Sequence, residues 1–133
     1  MKVWTNGTFD VLHAGHLRLL EYAASFGDLR VGIDTDKRVK ELKGLDRPFN
    51  NTKDRKYFLE SLKFVKEVVV FDSREELIEL VKDYQPDIMV VGDDYIGQTV
   101  FGSEYSKGLI FFRKLPDYST TKILSFYESN GNR

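Results

Sequence analysis

The sequence predicts an α/β protein built on a single doubly wound parallel five-stranded sheet, Rossmann-like, with helices on both faces. Two observations predict it. Val68-Val69-Val70-Phe71 and Ile88-Met89-Val90-Val91 are unbroken apolar runs, as in parallel strands buried on both faces. Between such runs lie segments whose apolar residues recur at helical spacing, and that alternation implies right-handed crossovers between parallel strands. In these folds the ligand sits beyond the carboxyl ends of the strands, at the switch point. A length of 133 residues suits one domain spanning 1–133.

Taken in order, Lys2-Val3-Trp4-Thr5 reads as the first strand, broken by Asn6-Gly7. Leu17, Leu19, Leu20, Tyr22, Ala23 and Ala24 mark the first helix. Leu29-Arg30-Val31-Gly32-Ile33 is a second strand ending at Asp34-Thr35-Asp36, where a polar residue can cap a following helix. Lys37 through Arg47 reads as a basic loop, and Asp54 to Phe64 as an amphipathic helix on Tyr57, Phe58, Leu62 and Phe64. Leu77, Ile78, Leu80 and Val81 place a helix between the two apolar runs. Leu109-Ile110-Phe111-Phe112 supplies the last strand, and Ser119 begins a closing helix.

Composition narrows the function classes. The chain carries 20 Lys and Arg against 21 Asp and Glu, so no global basic field points to nucleic acid. It has no cysteine, which excludes disulfides and thiol catalysis and suits a reducing cytoplasm. No apolar stretch reaches the length of a signal or membrane segment, so a cytoplasmic protein without membrane partners is expected.

The chemistry concentrates in Gly7-Thr8-Phe9-Asp10-Val11-Leu12-His13-Ala14-Gly15-His16, which holds the only two histidines. The segment lies where the first strand passes into the first helix. The first N–H groups of a helix lack partners within it and carry partial positive charge, so a phosphate oxygen is readily held there. Histidines at i and i+3 face the same way, and Gly15 between them leaves room for a triphosphate to approach the backbone. Neutral imidazoles each donate one hydrogen bond, which strengthens as charge develops on a phosphoryl oxygen. The plain alternative is a pair of surface or capping residues. Zinc is disfavoured, because no cysteine or third histidine completes a site.

Three further segments join this motif. Lys43-Gly44 and Arg47-Pro48 place a cation beside a flexible glycine and another beside a rigid proline, a plausible lid over a triphosphate or simply a solvated face. Gly92-Asp93-Asp94-Tyr95 follows the most apolar strand, and adjacent carboxylates there suit magnesium or an ordinary acidic turn. Ser119-Thr120-Thr121-Lys122 reads as a helix cap with two further hydroxyls that can face phosphates.

Gly-Thr-Phe-Asp-x-x-His-x-Gly-His resembles the signature of the cytidylyltransferase-like nucleotidyltransferases, and the resemblance runs nearly the full length. Lys40 to Asn50, Arg55, Pro86-Asp87-Ile88, Gly92 to Tyr95, Val100-Phe101-Gly102 and Tyr118 to Lys122 fall in family order. The resemblance implies direct transfer of a nucleoside monophosphate from ATP or CTP to a phosphorylated acceptor, with pyrophosphate as leaving group and Mg2+ as cofactor. It implies catalytic roles for His13, His16 and Lys43. Thr8, Phe9, Gly15, Gly92, Asp93, Asp94, Ser119, Thr120 and Thr121 would bind nucleotide, and Asp94 would also ligate the metal. Asp10, Arg55 and Arg113 would bind the acceptor, the planar guanidinium of Arg55 suiting a phosphate. One departure matters. Glycerol-phosphate cytidylyltransferases carry Arg-Thr-Glu-Gly-Ile before the serine, whereas this chain has Lys114-Leu115-Pro116-Asp117-Tyr118, so the arginine role passes to Arg113 or Lys114.

Within the family, Leu-Lys-Gly-x-x-Arg-Pro-x-Asn, Val-Phe-Gly and Tyr-Ser-Thr-Thr resemble the adenylyltransferase domain that activates heptose 1-phosphate for a surface polymer. Gly-Thr-Phe-Asp, Gly-Asp-Asp and Ser-Thr-Thr-Lys-Ile resemble glycerol-3-phosphate cytidylyltransferase. The partners implied are a nucleoside triphosphate and a small phosphorylated sugar or polyol, and homodimers are usual in the family. A non-catalytic nucleotide sensor on the same fold is the reading from another class. A dinucleotide oxidoreductase is excluded, because the first turn lacks Gly-x-Gly-x-x-Gly.

Overall fold

The computed structural model describes residues 1–113. Its five strands are β1 (Lys2–Gly7), β2 (Asp28–Asp34), β3 (Glu67–Phe71), β4 (Ile88–Gly92) and β5 (Gly108–Phe112). Its helices are α1 (Ala14–Ala24), α2 (Asp36–Lys43), α3 (Thr52–Glu60) and α4 (Arg74–Tyr84). Every neighbouring pair of strands is parallel, in the order β3-β2-β1-β4-β5. The chain steps outward from β1 to β3, then returns past β1 to β4 and β5, so the switch point lies between β1 and β4. There the ladder is short. It runs only from Val3 paired with Ile88 to Trp4 paired with Met89, whereas β1 follows β2 as far as Gly7 and Ile33.

Alternation along the strands divides the core into two layers. Val3, Leu29, Val31, Ile33 and Val90 meet Leu19, Leu20 and Ala23 of α1 and Leu59 of α3 on one face. Trp4, Phe71, Met89 and Val91 meet Leu77, Val81 and Tyr84 of α4 on the other. Helices therefore cover both faces, as the apolar runs predict. The outermost β3 departs from that reading: Val68 and Phe71 are buried but Val69 and Val70 only half so, because an edge strand has one neighbour.

Two helices differ from the sequence reading. The basic stretch from Lys37 is a helix through Lys43 rather than a loop. Thr35 caps it by accepting a hydrogen bond from Arg38 N, Asp36 sits in its first turn, and Lys40 and Lys43 sit in its last, all of which suit the helix dipole. Gly44, at φ 109°, ends it in a conformation that a side chain would strain. The next helix ends at Glu60, short of Phe64, and its inward stripe is Arg55 and Leu59. Tyr57 and Phe58 are exposed. Counting only apolar residues misplaces this face, because its inward anchor is a guanidinium. The closing helix expected from Ser119 lies outside the described residues.

Gly32 of β2 shows how tightly the α4 layer is filled. A Cβ there would come within 2.6 Å of Trp4 Cζ2, on a fully buried indole. Gly32→Ala is expected to lower unfolding stability by about 1–3 kcal/mol, the usual range for overpacking. Trp4 is the only tryptophan, so its fluorescence through a urea titration reads the change directly.

Candidate active site at the switch point

The carboxyl ends of β1, β2 and β4 open into a crevice of about 500 Å³. Thr5, Asn6 and Gly7 at the end of β1, Thr8, Phe9 and Asp10 after it, and His16 of α1 line it. Asp34, Arg38, Lys43 and Arg47 line the β2 side, and Gly92, Asp94 and Tyr95 the β4 side. Arg74 and Phe101 close the edge near α4, with the guanidinium 4.3 Å from the ring centre. Four cations thus face one opening on a chain of net charge −1, which concentrates positive potential where an anion would enter. A more open groove of about 520 Å³ lies at the opposite end of the sheet, between Gly27 and Lys66, away from the motif residues.

The two histidines cap one another. His13 is the N-cap of α1, and its Nδ1 accepts hydrogen bonds from Gly15 N at 3.1 Å and His16 N at 3.4 Å. In return, His13 N donates to His16 Nδ1 at 3.2 Å, and the rings stack with centres 3.8 Å apart. Both Nδ1 atoms are acceptors here, so each neutral ring carries its proton on Nε2. The capping reading and the functional reading coincide. The arrangement also revises the expectation of helix amides open to a phosphate: Gly15 N and His16 N are engaged within the motif.

The loop before the helix is held under backbone strain. Phe9 and Val11 adopt φ of 51° and 50°, unusual for residues with side chains. Phe9 is buried, its ring edge-on to His16 at 5.4 Å. Asp10, 1% exposed, accepts hydrogen bonds from Phe49 N and Asn50 N and lies 3.9 Å from Arg47 Nε. Asp10 therefore fastens the segment after α2 to the motif.

Arg55 is placed differently from the acceptor contact the resemblance implied. It is fully buried, and its guanidinium is spent inside the fold. Nε donates to Asn50 O at 3.0 Å, Nη1 to Thr8 O at 3.0 Å, and Nη2 to Asp36 Oδ1 at 2.9 Å and Thr52 Oγ1 at 3.3 Å. A planar fork with five donors suits such a junction as well as it suits a phosphate. Arg55 ties together four segments that surround the crevice instead of lining it.

The remaining candidates sort by position. Thr8, Phe9, Asp10, His16, Lys43, Gly92 and Asp94 meet at the crevice. His13, Gly15 and Asp93 stand just outside its lining, and His13 acts by gripping His16. Arg113 follows the end of β5, is exposed and is not part of the wall. Asp93 and Asp94 occupy a short 3-10 turn, half-buried and exposed respectively, so water relieves the charge of the pair. Lys114, Ser119, Thr120, Thr121 and Lys122 lie outside the described residues.

Sequence reasoning passed over Asp34, Arg38 and Arg74, which line the crevice together with Tyr95 of the Gly92–Tyr95 segment. Asp34 had a signal: it ends a predicted strand at the carboxyl side, where ligands of such sheets bind. Burial pushes its carboxyl above the ordinary carboxylate range, against the opposing pull of Arg38. Tyr95 is pushed up by burial, then by the charges of Asp94 and Asp34.

The cytidylyltransferase-like family model matches residues 4–125. The chain belongs to the cytidylyltransferase-like family. Among its relatives, the bifunctional protein HldE of Campylobacter fetus subsp. fetus is 45% identical over 124 residues, covering 92% of this chain and 27% of that protein. HldE of Nitratiruptor sp. is 47% identical over 125 residues, and HldE of Helicobacter pylori 44% identical over 123. The chain spans about a quarter of the length of these curated relatives. The crystal structure of the lipopolysaccharide core biosynthesis protein from Thermoplasma volcanium superposes with a TM-score of 0.68 at 22% identity, covering 86% of this chain and 98% of that one. That likeness supports the family fold.

Two outcomes follow from the site geometry. Arg55→Lys, which removes the fork from a buried junction, is expected to cost roughly 2–4 kcal/mol in urea unfolding, moderated because Asp36 is partly exposed. For Asp34, the folded chain binds the proton more tightly than the unfolded one. Its contribution favours the fold below about pH 4 and is lost as pH rises through the raised folded value. Asp34→Asn is therefore expected to gain stability relative to wild type as pH climbs above about 4, read from paired urea midpoints.

Proposed function

We propose that the chain transfers a nucleoside monophosphate from ATP or CTP to a small sugar phosphate of the heptose 1-phosphate type, releasing pyrophosphate. The observation that carries this reading is the interlocked histidine pair at a cation-lined switch-point crevice. The similarity to bifunctional HldE proteins favours a sugar-phosphate acceptor over glycerol 3-phosphate.

An oxygen of the acceptor phosphate attacks the α-phosphorus of the triphosphate. The bond from that phosphorus to the bridging oxygen breaks, and pyrophosphate leaves in line. No nucleophilic side chain is required, since positioning and charge stabilisation do most of the work in such transfers. The Nε2–H of His16, with His13 holding its ring, donates to oxygens whose charge grows in the transition state. Lys43, at the end of α2, and Arg38 and Arg47 beside it supply charge for pyrophosphate or for the acceptor.

Magnesium would arrive bound to the triphosphate. Among the described residues no group of three or more His, Cys, Asp or Glu could hold a metal by itself. The fit is therefore to an ion carried mainly by phosphate oxygens and water, with Asp94 as the crevice carboxylate placed to meet it. Such an ion neutralises phosphate charge.

His16→Ala is expected to lower turnover by on the order of 100-fold while costing only about 1 kcal/mol of stability from the lost half of the capping box. The assay is pyrophosphate release with four nucleoside triphosphates crossed against heptose 1-phosphate, other sugar phosphates and glycerol 3-phosphate. Wild-type kinetics in the variant would remove the histidine assignment. Silence of the wild-type protein in every combination would favour a nucleotide sensor.

A further inference from the structure

We infer that Asp34 binds hydroxyl groups of the acceptor, making the β2 side of the crevice a receptor for a polyhydroxylated sugar phosphate. The inference rests on the transfer reading above and names the acceptor class within the same site.

Asp34 is the last residue of β2, 7% exposed, with its side chain in the crevice wall. A carboxylate among cations that face a phosphate opening repels the very ligand those cations attract. Beyond its pair with Arg38, the ligand chemistry that suits it there is a neutral group that donates hydrogen bonds. Arg38 Nε donates to its Oδ2 at 3.2 Å. A carboxylate accepts about four hydrogen bonds, so Arg38 leaves capacity for sugar hydroxyls. Arg38 also confines the carboxylate to one orientation and offsets part of its burial cost.

The fold makes no evident demand for an acid at this position. Helix α2 is capped by Thr35, not by Asp34, and the β2–β3 ladder at this residue needs only its backbone. Burying the charge works against stability, as the raised carboxyl pKa shows. The surroundings complete a receptor. Arg38 and Lys43 line the same side as Asp34 and can hold the acceptor phosphate, and Tyr95 lines the crevice as well. His16 and the β1–α1 loop line the same crevice and are the part assigned to the triphosphate. Hydroxyls also occur on the nucleotide's ribose, so the two sources have to be separated experimentally.

The experiment is steady-state kinetics of wild type, Asp34→Asn and Asp34→Ser with heptose 1-phosphate, deoxygenated sugar 1-phosphates, and ribo- or 2′-deoxynucleoside triphosphates. The expected result is an acceptor KM raised tenfold or more, a triphosphate KM within twofold of wild type, and a thermal midpoint no lower than wild type. The wild-type preference for the fully hydroxylated sugar should shrink in both variants. Loss of discrimination between ribo- and 2′-deoxynucleotides would assign Asp34 to the ribose and overturn the inference. Unchanged KM values for both substrates, or a lowered midpoint with proportionate loss of all activity, would reduce Asp34 to a structural partner of Arg38. If wild type transfers no nucleotide at all, the transfer reading fails instead. Calorimetric titration of sugar 1-phosphates into wild type and Asp34→Asn then decides for Asp34 alone, equal affinity refuting it.

Discussion

The geometry of the crevice depends on one buried cation. Arg55 lies at the junction of the β1–α1 loop, the start of α2, the segment after it and the start of α3, and it bonds to each through Thr8, Asp36, Asn50 and Thr52. These four segments meet at polar residues, and the guanidinium joins them at one point. A guanidinium suits this role because it stays charged under all ordinary conditions and presents donors in fixed directions. Asp10 makes the complementary link from the acidic side, receiving two backbone amides of residues 49 and 50. Together they fix the position of the histidine motif relative to the α2 cations.

The motif turns a local capping requirement into a chemical one. A helix start needs acceptors for its first amides, and serine or aspartate would serve. Histidine serves through Nδ1, and in the neutral ring the proton then sits on Nε2. Strain at Phe9 and Val11, sustained by the packing of Phe9 on His16, holds the loop that aims the pair. The family membership and the geometry thus describe one object from two directions.

Much of the architecture was legible because its signals are periodic. The apolar runs of β3 and β4, the leucines of α1 and the stripe of α4 announce themselves, and their alternation fixes the parallel, doubly wound sheet. The histidine motif was legible because its spacing, its glycine and its place at a strand-to-helix junction coincide. What escaped was residue type acting against habit. Arg55 points inward although arginines usually stay outside, so α3 was read with Tyr57 and Phe58 as its buried marks. Asp34 lines a site although its neighbours in sequence read as a helix cap, and Arg74 lines it although it opens an ordinary amphipathic helix. Such placements follow from which loops converge in space, and no window of local sequence contains that information.

The brevity of the β1–β4 ladder has a mechanical consequence. Beyond Trp4 and Met89 the two halves of the sheet are bridged by Thr5, whose hydroxyl donates to Val90 O at 2.7 Å, and then part. The same line is both the weakest seam of the backbone network and the mouth of the binding cleft. A ligand lying along it touches β1 on one bank and β4 on the other, acting as a clasp. Occupancy and cohesion of the two halves are then linked by mass action, so filling the cleft stiffens the whole sheet and any loosening of the seam weakens the grip on what fills it.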